Sequence, residues 1–538
     1  MRCRLSAIRS ALRAARMPAC MSAVSGAAAV AVIVLARLSL VSVDTVTSAS
    51  VDVRLLTSTT LERLDKKSFD DLYHFSSFAE LTNWQAILKL TCFKNDRFMF
   101  SYGGQNSIMY LYNPNDDNNH NKRDDGRHVF RNYTWLYSYS TLKLTEDLTA
   151  FGYLRVKNEA SGADERGRAY RNRGPTFEEL FGGLRYEHLG FKSEVAAGRQ
   201  WLELGRGFVF YDTLDSIRAK ARYEWENGTM ASVEPIVGKT VGDNWDTGMS
   251  KHGENDRLVV AVPGRLDVTS STFGLDPDKF GWIGIQSIRP YYAQVFDHSR
   301  DKFPDSNAQY DAYYFGGQMY GPLYFNGLMY NLEGILCYGH ANDYETTTKS
   351  PVESWLGDAE LLYENDFAIK KYPFPYKLVA GYTVASGDDS AFSLTSTRYG
   401  NWPGTKSKNF RGISGSTPLE SAAAGLEPGN LRTLHLEGWL TCYESEKYGT
   451  VKIGSAFYEF WKTDNRGYIA DEDYYTQPRY DNQTSAHAGT EFDGFFTYEW
   501  RDWFETKATV GTFIPGAAYP QGANDTSFLL QTIFTFKF

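Results

Sequence analysis

The final twelve residues, Ser527 to Phe538, read SFLLQTIFTFKF. Phe528, Leu530, Phe534, Phe536 and Phe538 share one parity. Gln531, Thr535 and Lys537 share the other, with Ile533 as the exception. A period of two marks a strand with one apolar face and one more polar face. The stretch closes on an aromatic residue with no polar tail, although chain ends ordinarily fray into water. A closed transmembrane barrel gives such an ending a purpose. Its last strand must pair with the first, because an open strand edge in hydrocarbon leaves backbone groups unsatisfied.

Composition permits this architecture without requiring it. The chain has 538 residues and is 42% hydrophobic, enough for one large barrel or for two soluble domains. Aromatic residues make up 15%, with 36 Tyr and 34 Phe, types that favour strands and line membrane interfaces. A mean hydropathy of -0.43 and 22% charged residues look soluble. A barrel looks the same by this test, since its lumen and loops are polar. A soluble, β-rich secreted protein therefore stays open on composition alone.

No apolar run reaches the roughly 20 residues that a membrane helix needs. The longest, Ala27 to Ala36, follows Arg2, Arg4, Arg9, Arg13 and Arg16 and precedes Thr47-Ser48-Ala49. That order reads as a secretory signal peptide over residues 1–49. A cut near Ala49 removes six basic residues and one acidic residue, taking the formal net charge from -9 to -14. That sign disfavours nucleic acid as a partner. Cys92, Cys337 and Cys442 would remain, an odd and widely spaced set that offers no disulfide framework.

Residues 50–83 do not alternate, and LERLDKKSFDDLYHFSSFAEL within them suits a short helix or an extended arm. From Trp84 to the end the pattern is strand-like. Tyr133, Trp135, Tyr137 and Tyr139 alternate with Thr134, Leu136, Ser138 and Ser140. After a turn at Thr145 to Asp147, Leu148, Ala150, Gly152, Leu154 and Val156 oppose Thr149, Arg155 and Lys157. Tight turns at Thr145–Asp147, His188–Gly190 and Trp500–Asp502 contrast with long excursions at Asn113–Arg127, Val241–Arg257, Gly387–Asn430 and Thr463–Ser485. Short turns at one end and long loops at the other predict an outer-membrane barrel over residues 84–538, with roughly 16 to 18 strands. Phe280–Val295 and Gly321–Tyr338 alternate poorly, so the count is approximate.

The stretch Asp215 to Glu226, DSIRAKARYEWE, is the clearest functional strand. Ile217, Ala219, Ala221, Tyr223 and Trp225 form one face, and Arg218, Lys220, Arg222, Glu224 and Glu226 the other. Cations on a lipid face cost about 2–4 kcal/mol each near the midplane, so this basic row belongs in the lumen. A ladder of cations favours anions. Glu187, Glu194, Asp358, Glu360, Glu491 and Asp493 fall on inward parities and are expected to neutralise part of it. No metalloprotease or nucleophile-elbow motif occurs. Val237-Gly238-Lys239-Thr240 imitates the end of a phosphate loop, but Val233 stands where that loop needs its first glycine. Ser386-Gly387-Asp388-Asp389 opens a long loop and reads as a turn, with a calcium site as the alternative. No metal or other cofactor and no catalytic residues are assigned. His340 is the one loosely placed residue for an enzyme reading.

Gly198-Arg199-Gln200, then Phe210-Tyr211-Asp212-Thr213 and the basic strand, resemble the alginate export family of outer-membrane proteins. Gly489-Thr490-Glu491-Phe492-Asp493, Phe513-Ile514-Pro515-Gly516, the Leu431–Trp461 hairpin and the closing aromatic strand follow in the same order. The resemblance covers Asn132 to Phe538 with gaps. It implies an all-β fold, a single transmembrane antiparallel barrel of about 18 strands, conducting an anionic polyuronate through an arginine-lined constriction. On that analogy Arg199, Arg218 and Arg222 line the lumen. Strict alternation from Phe191, Val195 and Ala197 would instead put Arg199 on the lipid side. Either Gly198 marks a bulge that flips the register, which is the preferred reading, or Arg199 snorkels at the interface. The loop from Gly387 to Asn430 is expected to cover the pore.

The sequence therefore predicts a bacterial outer-membrane channel, not an enzyme, for passive passage of an anionic polysaccharide or related anionic solute. Arg155, Arg199, Arg218, Lys220 and Arg222 are the expected solute contacts. Its partners would be that solute, outer-membrane lipid and, for a polymer exporter, periplasmic machinery, with the chain itself a monomer. A porin for another small solute, and a structural or adhesive barrel without an open pore, are the alternatives.

Overall fold

The computed structural model describes residues 90–538 apart from short gaps, chiefly 114–126, 162–170, 242–256, 273–285, 299–308, 392–400, 414–420 and 470–484. The signal segment expected over 1–49 and the arm expected over 50–83 lie outside the described residues. The strands in order are β1 (Leu90–Lys94), β2 (Phe98–Asn113), β3 (Arg127–Lys143), β4 (Leu148–Ser161), β5 (Arg171–His188), β6 (Phe191–Leu204) and β7 (Phe210–Glu224). Next come β8 (Met230–Val233), β9 (Ile236–Thr240), β10 (Arg257–Val268), β11 (Gln286–Asp297), β12 (Tyr310–Pro322), β13 (Leu328–Asn342) and β14 (Lys349–Ile369). The chain ends with β15 (Tyr372–Ala385), β16 (Leu431–Ser445), β17 (Gly449–Lys462), β18 (His487–Trp500), β19 (Phe504–Pro515) and β20 (Ser527–Lys537).

Apart from β8 and β9, each strand pairs antiparallel with the next, and β20 returns to pair with β2, so the sheet closes on itself. β8 and β9 share one position between β7 and β10. β1 and β20 share the outer edge of β2, with β1 on its first residues and β20 beyond. The ring therefore has eighteen strand positions, as the sequence predicts. The VGKT stretch that imitates a phosphate loop is the ladder strand β9.

Closure centres on Gly104 and Phe538. The Phe538 amide donates to the Gly104 carbonyl at 2.9 Å, and the Gly104 amide donates to the Phe538 carbonyl at 2.7 Å. The terminal ring lies over Gly104, where a Cβ would stand 2.6 Å from it and 2.8 Å from the Trp135 carbonyl. Residue 104 is glycine because the closing aromatic occupies the space a side chain would need.

Parity is maintained around the wall. On β20 the odd residues point inward and Phe528, Leu530, Phe534 and Phe536 outward. Phe315, Leu336, Leu361, Leu378, Leu436 and Phe492 are about half exposed on the outer surface. This is the apolar exterior that makes the barrel a transmembrane one.

Tight turns and long loops divide between the two ends much as the spacing predicts. Three connections break the pattern. The 17-residue link between β10 and β11 lies at the short-turn end, and the five-residue link 205–209 and the six-residue link 343–348 lie at the long-loop end. Connection length alone therefore does not assign every hairpin.

Valine at position 104 should push the Phe538 ring off the seam. We expect Gly104→Val to lose about 1–3 kcal/mol, the usual cost of overpacking, read by urea unfolding in lipid vesicles. Gly334→Ala, where a Cβ meets nothing within 4 Å, should unfold at the wild-type midpoint. Equal midpoints for all three proteins would contradict the closure described here.

Candidate functional site: a loop-filled lumen with a basic wall

Two connections fold into the barrel. In the link 205–209, Arg206 reaches across the lumen to β14. Its guanidinium donates to Asp358 Oδ2 at 2.5 Å and to Glu360 Oε1 at 2.9 Å, and both carboxylates are almost fully buried. Thr383 donates to the other oxygen of Asp358 at 2.7 Å, and Asn331 to that of Glu360 at 3.2 Å. Glu333 accepts from the Tyr291 hydroxyl at 2.7 Å alongside.

The loop 386–430 runs further. Ser407 bridges to Val352 on β14, and the Tyr314 hydroxyl on β12 donates to the Arg411 carbonyl at 2.7 Å. Ile413 donates its amide to the Val209 carbonyl at 2.7 Å, and its own carbonyl accepts from Arg257 Nη1 at 2.9 Å. On the return, Ala423 and Ala424 donate amides to Glu491 at 2.7 and 2.9 Å, and Ala422 donates to Asp493 at 3.1 Å. The described parts of the loop thus contact inward residues of β10, β12, β14 and β18, where the resemblance implies a loop over the pore.

The two loops share an apolar core inside the barrel. Phe208, Val209, Phe410 and Ile413 pack against inward Val259, Ala293, Val295, Ala312 and Tyr314. Small inward residues on β10 to β12 make room for them. Asp388, raised as a calcium ligand, organises the same loop. It accepts from Ser390 N at 2.8 Å, Asn401 Nδ2 at 2.5 Å and Lys408 N at 2.8 Å. Three donors on one carboxylate fit a turn better than a cation.

The basic strand is β7. Arg218, Lys220 and Arg222 point inward while Ile217 is 63% exposed outward. Arg218 lies 3.4 Å from both Glu194 and Glu234, Lys220 is 3.2 Å from Glu234, and Arg222 is 2.8 Å from Glu224. Arg185 on β5 shares Glu194 at 2.8 Å. Arg265 on β10 pairs with Asp267 at 2.9 Å, and Arg289 on β11 lies 4.6 Å over the Tyr320 ring. The wall therefore runs from β5 to β11 at the short-turn end, wider than the single strand seen in the sequence. Each of these cations keeps solvent access: Arg185, Lys220 and Arg222 are 39–44% exposed in their side chains and Arg218 25%.

Arg155 is inward but enclosed at 3% exposure. A register shift in the β4–β5 ladder adds Glu178 to β5 between Phe177 and Glu179. Both glutamates then reach Arg155, at 2.7 and 3.8 Å. Trp135 Nε1 donates to Glu178 at 3.0 Å, and the Trp201 amide donates to Glu179 at 3.2 Å. Arg155 holds the wall together and does not face the open lumen.

Arg199 corrects the preferred expectation. The β5–β6 register is unbroken, with Phe181 opposite Gly198 and Leu180 opposite Arg199. Glycine suits position 198 because φ there is +130 and a Cβ would stand 2.2 Å from the Leu180 carbonyl. It supplies a close approach and no bulge. Arg199 therefore keeps outward parity beside half-exposed Leu180, and pairs with Asp215 at 2.8 and 3.1 Å and with the Phe177 carbonyl at 3.1 Å. It is not a lumen residue.

The acids expected to neutralise the basic row divide in the same way. Glu194 does so, whereas Asp358 and Glu360 hold Arg206, and Glu491 and Asp493 hold the long loop. Arg206 escaped the sequence reading because it sits in a short link between two glycines, with no alternation to mark it. His340, the residue left for an enzyme reading, faces outward on β13.

These features define a class: a transmembrane β-barrel whose lumen is narrowed by its own loops and lined on one side by cations. No protein-family model matches the chain, and no curated protein matches it. Solved structures similar to it include a double variant of OccD1 (OprD), at 11% identity over 84% of this chain and 98% of that one, TM-score 0.41. The outer-membrane protein OpdK of Pseudomonas aeruginosa matches at 7% identity over 82% and 98%, TM-score 0.47. OprB of Pseudomonas putida matches at 9% over 82% and 94%, TM-score 0.39.

Removing the Arg206 guanidinium leaves two buried carboxylates without their cation. We expect Arg206→Ala to cost about 3–5 kcal/mol, as for other broken buried pairs, and Arg206→Ala with Asp358→Asn and Glu360→Gln to recover most of it. Thermal unfolding in detergent reads both. A single variant as stable as wild type would contradict this account of how the short link is held.

Proposed function

We propose that the chain is an outer-membrane channel for passive passage of small anionic solutes, with acidic saccharides of the polyuronate type as the finer reading. The observation that carries it is the unequal availability of charge. Asp358, Glu360, Glu491 and Asp493 are nearly or fully buried and committed to loop contacts. Arg185, Arg218, Lys220 and Arg222 stay partly open on one continuous wall. What a solute in the lumen meets is therefore mainly cationic, which favours anions. Glu194, Glu234 and the half-exposed Glu224 soften that preference, so the selectivity should be moderate.

The short-turn end would face the periplasm and the long loops the outside, as in outer-membrane barrels generally. The polyuronate reading rests on the ordered motifs from Gly198 to Gly516 and on this wall. Another small solute fits the same wall, since one barrel serves many solutes through its lining. The loop core across the lumen favours a second reading, a barrel with little or no conductance.

Charge reversal separates these. In Arg218→Glu with Lys220→Glu, we expect the anion-to-cation permeability ratio in planar bilayers to fall severalfold, with single-channel conductance present in both proteins. An unchanged ratio would sink the role of the basic wall. Absence of conductance in both would favour the closed barrel.

A further inference from the structure

β14 and β15 form a hairpin that runs past both neighbouring strands at the short-turn end. The β13 ladder on β14 stops at Tyr363, and the β16 ladder on β15 stops at Tyr376. β14 and β15 stay paired with each other beyond that, out to Ile369 and Tyr372. Depth follows from the outward face of β14. Trp355, Gly357, Ala359 and Leu361 separate Glu353 from Tyr363, with no charge between. A strand of that length, tilted at about 35–45°, rises about 25 Å, the height of the apolar band. Outward Tyr363 packs edge-on against outward Tyr376 at 5.9 Å, as aromatic residues do where the band ends. The hairpin from Asp366 to Ile369, with its opposite leg, therefore lies beyond the membrane.

The two edges of this projection differ. On β14 the even-numbered residues aim their backbone groups away from β15, since the Glu364 amide donates to the Gly327 carbonyl at 2.8 Å. The odd-numbered residues aim theirs toward β15, since the Trp355 carbonyl accepts from the Ser386 amide at 2.9 Å. By the same alternation Asp366 and Ala368 turn their N–H and C=O groups to the outer side. No backbone partner meets them there among the described residues. On β15 the residues opposite Asp366 and Ala368 are Pro375 and Pro373. Their outward positions carry no N–H, so that edge cannot extend the sheet. Proline on an edge is a device against unwanted pairing. Here it guards one edge and leaves the other open.

We propose that the β14 edge at Asp366 and Ala368 takes an extended segment of a different, periplasmic protein as an added strand. Alternating N–H and C=O groups on an edge are matched by another backbone in extended form. Acyl chains offer neither group and do not reach past the aromatic rim. A second copy of this chain does not fit. Copies in one membrane are related by an axis along the membrane normal. Strands tilted at about 35–45° to that axis would cross at about 70–90° instead of pairing. The partner's compartment rests on the short-turn end facing the periplasm. The open edge does not, and neither depends on which solute passes.

The test has two arms. In the first, hydrogen exchange is followed on the purified full chain in lipid nanodiscs. The amides of Asp366 and Ala368 should exchange at least tenfold faster than that of Phe367, which the β15 ladder holds. Equally slow exchange would overturn the proposal, because the chain would then cover this edge itself. In the second, a photo-crosslinker installed at Asp366 is irradiated in intact cells. It should give an adduct with another protein, mapped by mass spectrometry to one extended segment. Capture alone is not support. The adduct should be lost at least tenfold in Ala368→Pro, which removes a donor from the open edge while the folded band that shifts on heating is kept. If that variant fails to fold, the crosslinker is moved to Glu364 and Asp366→Pro takes its place. An adduct that survives proline would overturn the proposal, as would an adduct between two copies of this chain or none at all.

Discussion

A strand edge in hydrocarbon is the constraint on which this molecule depends. Backbone amides and carbonyls have no water there, so a spanning sheet must close. Here the terminal residue takes part directly, with Phe538 and Gly104 exchanging both of their hydrogen bonds. Eighteen strand positions follow around the ring. A ring of that size encloses more space than wall side chains can fill. The interior must then hold water, loops or both.

The chain uses loops on one side and charge on the other. Phe208, Phe410 and Ile413 form a core with β10 to β14, and Arg206 ties the short link to Asp358 and Glu360. That arrangement consumes the acidic side of the lumen. The cations of β5 to β11 are left facing the open part, only partly compensated by Glu194, Glu224, Glu234 and Asp267. On the proposed function, selectivity would be a by-product of how the barrel packs its own interior. Loop anchoring decides which charges remain for a solute.

Alternation was legible wherever the lumen face is polar. β20 and β7 show it plainly, and from them closure and the basic row follow, as the inward parity of Glu194 and Glu491 follows from β6 and β18. It failed over Phe280–Val295, where the described strand β11 is apolar on both faces because loops fill the lumen beside β10 to β12, and over Gly321–Tyr338, which spans the turn from β12 into β13. Val259, Ala261, Ala293, Val295 and Ala312 meet the loop core, while Leu258, Val262 and Phe315 meet lipid. A strand with two apolar faces has no period to read. Arg199 failed for a different reason: Gly198 invited a bulge, and only the cross-strand register to Leu180 excludes one. Arg206 and the Glu178 insertion depend on contacts between distant segments, which no local pattern records.

The central claim is that the open part of the lumen is net cationic to a passing ion. The most direct measurement is the zero-current potential of wild-type channels in a planar bilayer under a potassium chloride gradient. The account predicts the sign of chloride preference, shrinking as salt rises and screening shortens the reach of the wall. A potential of the opposite sign, or none across the gradient, would contradict it.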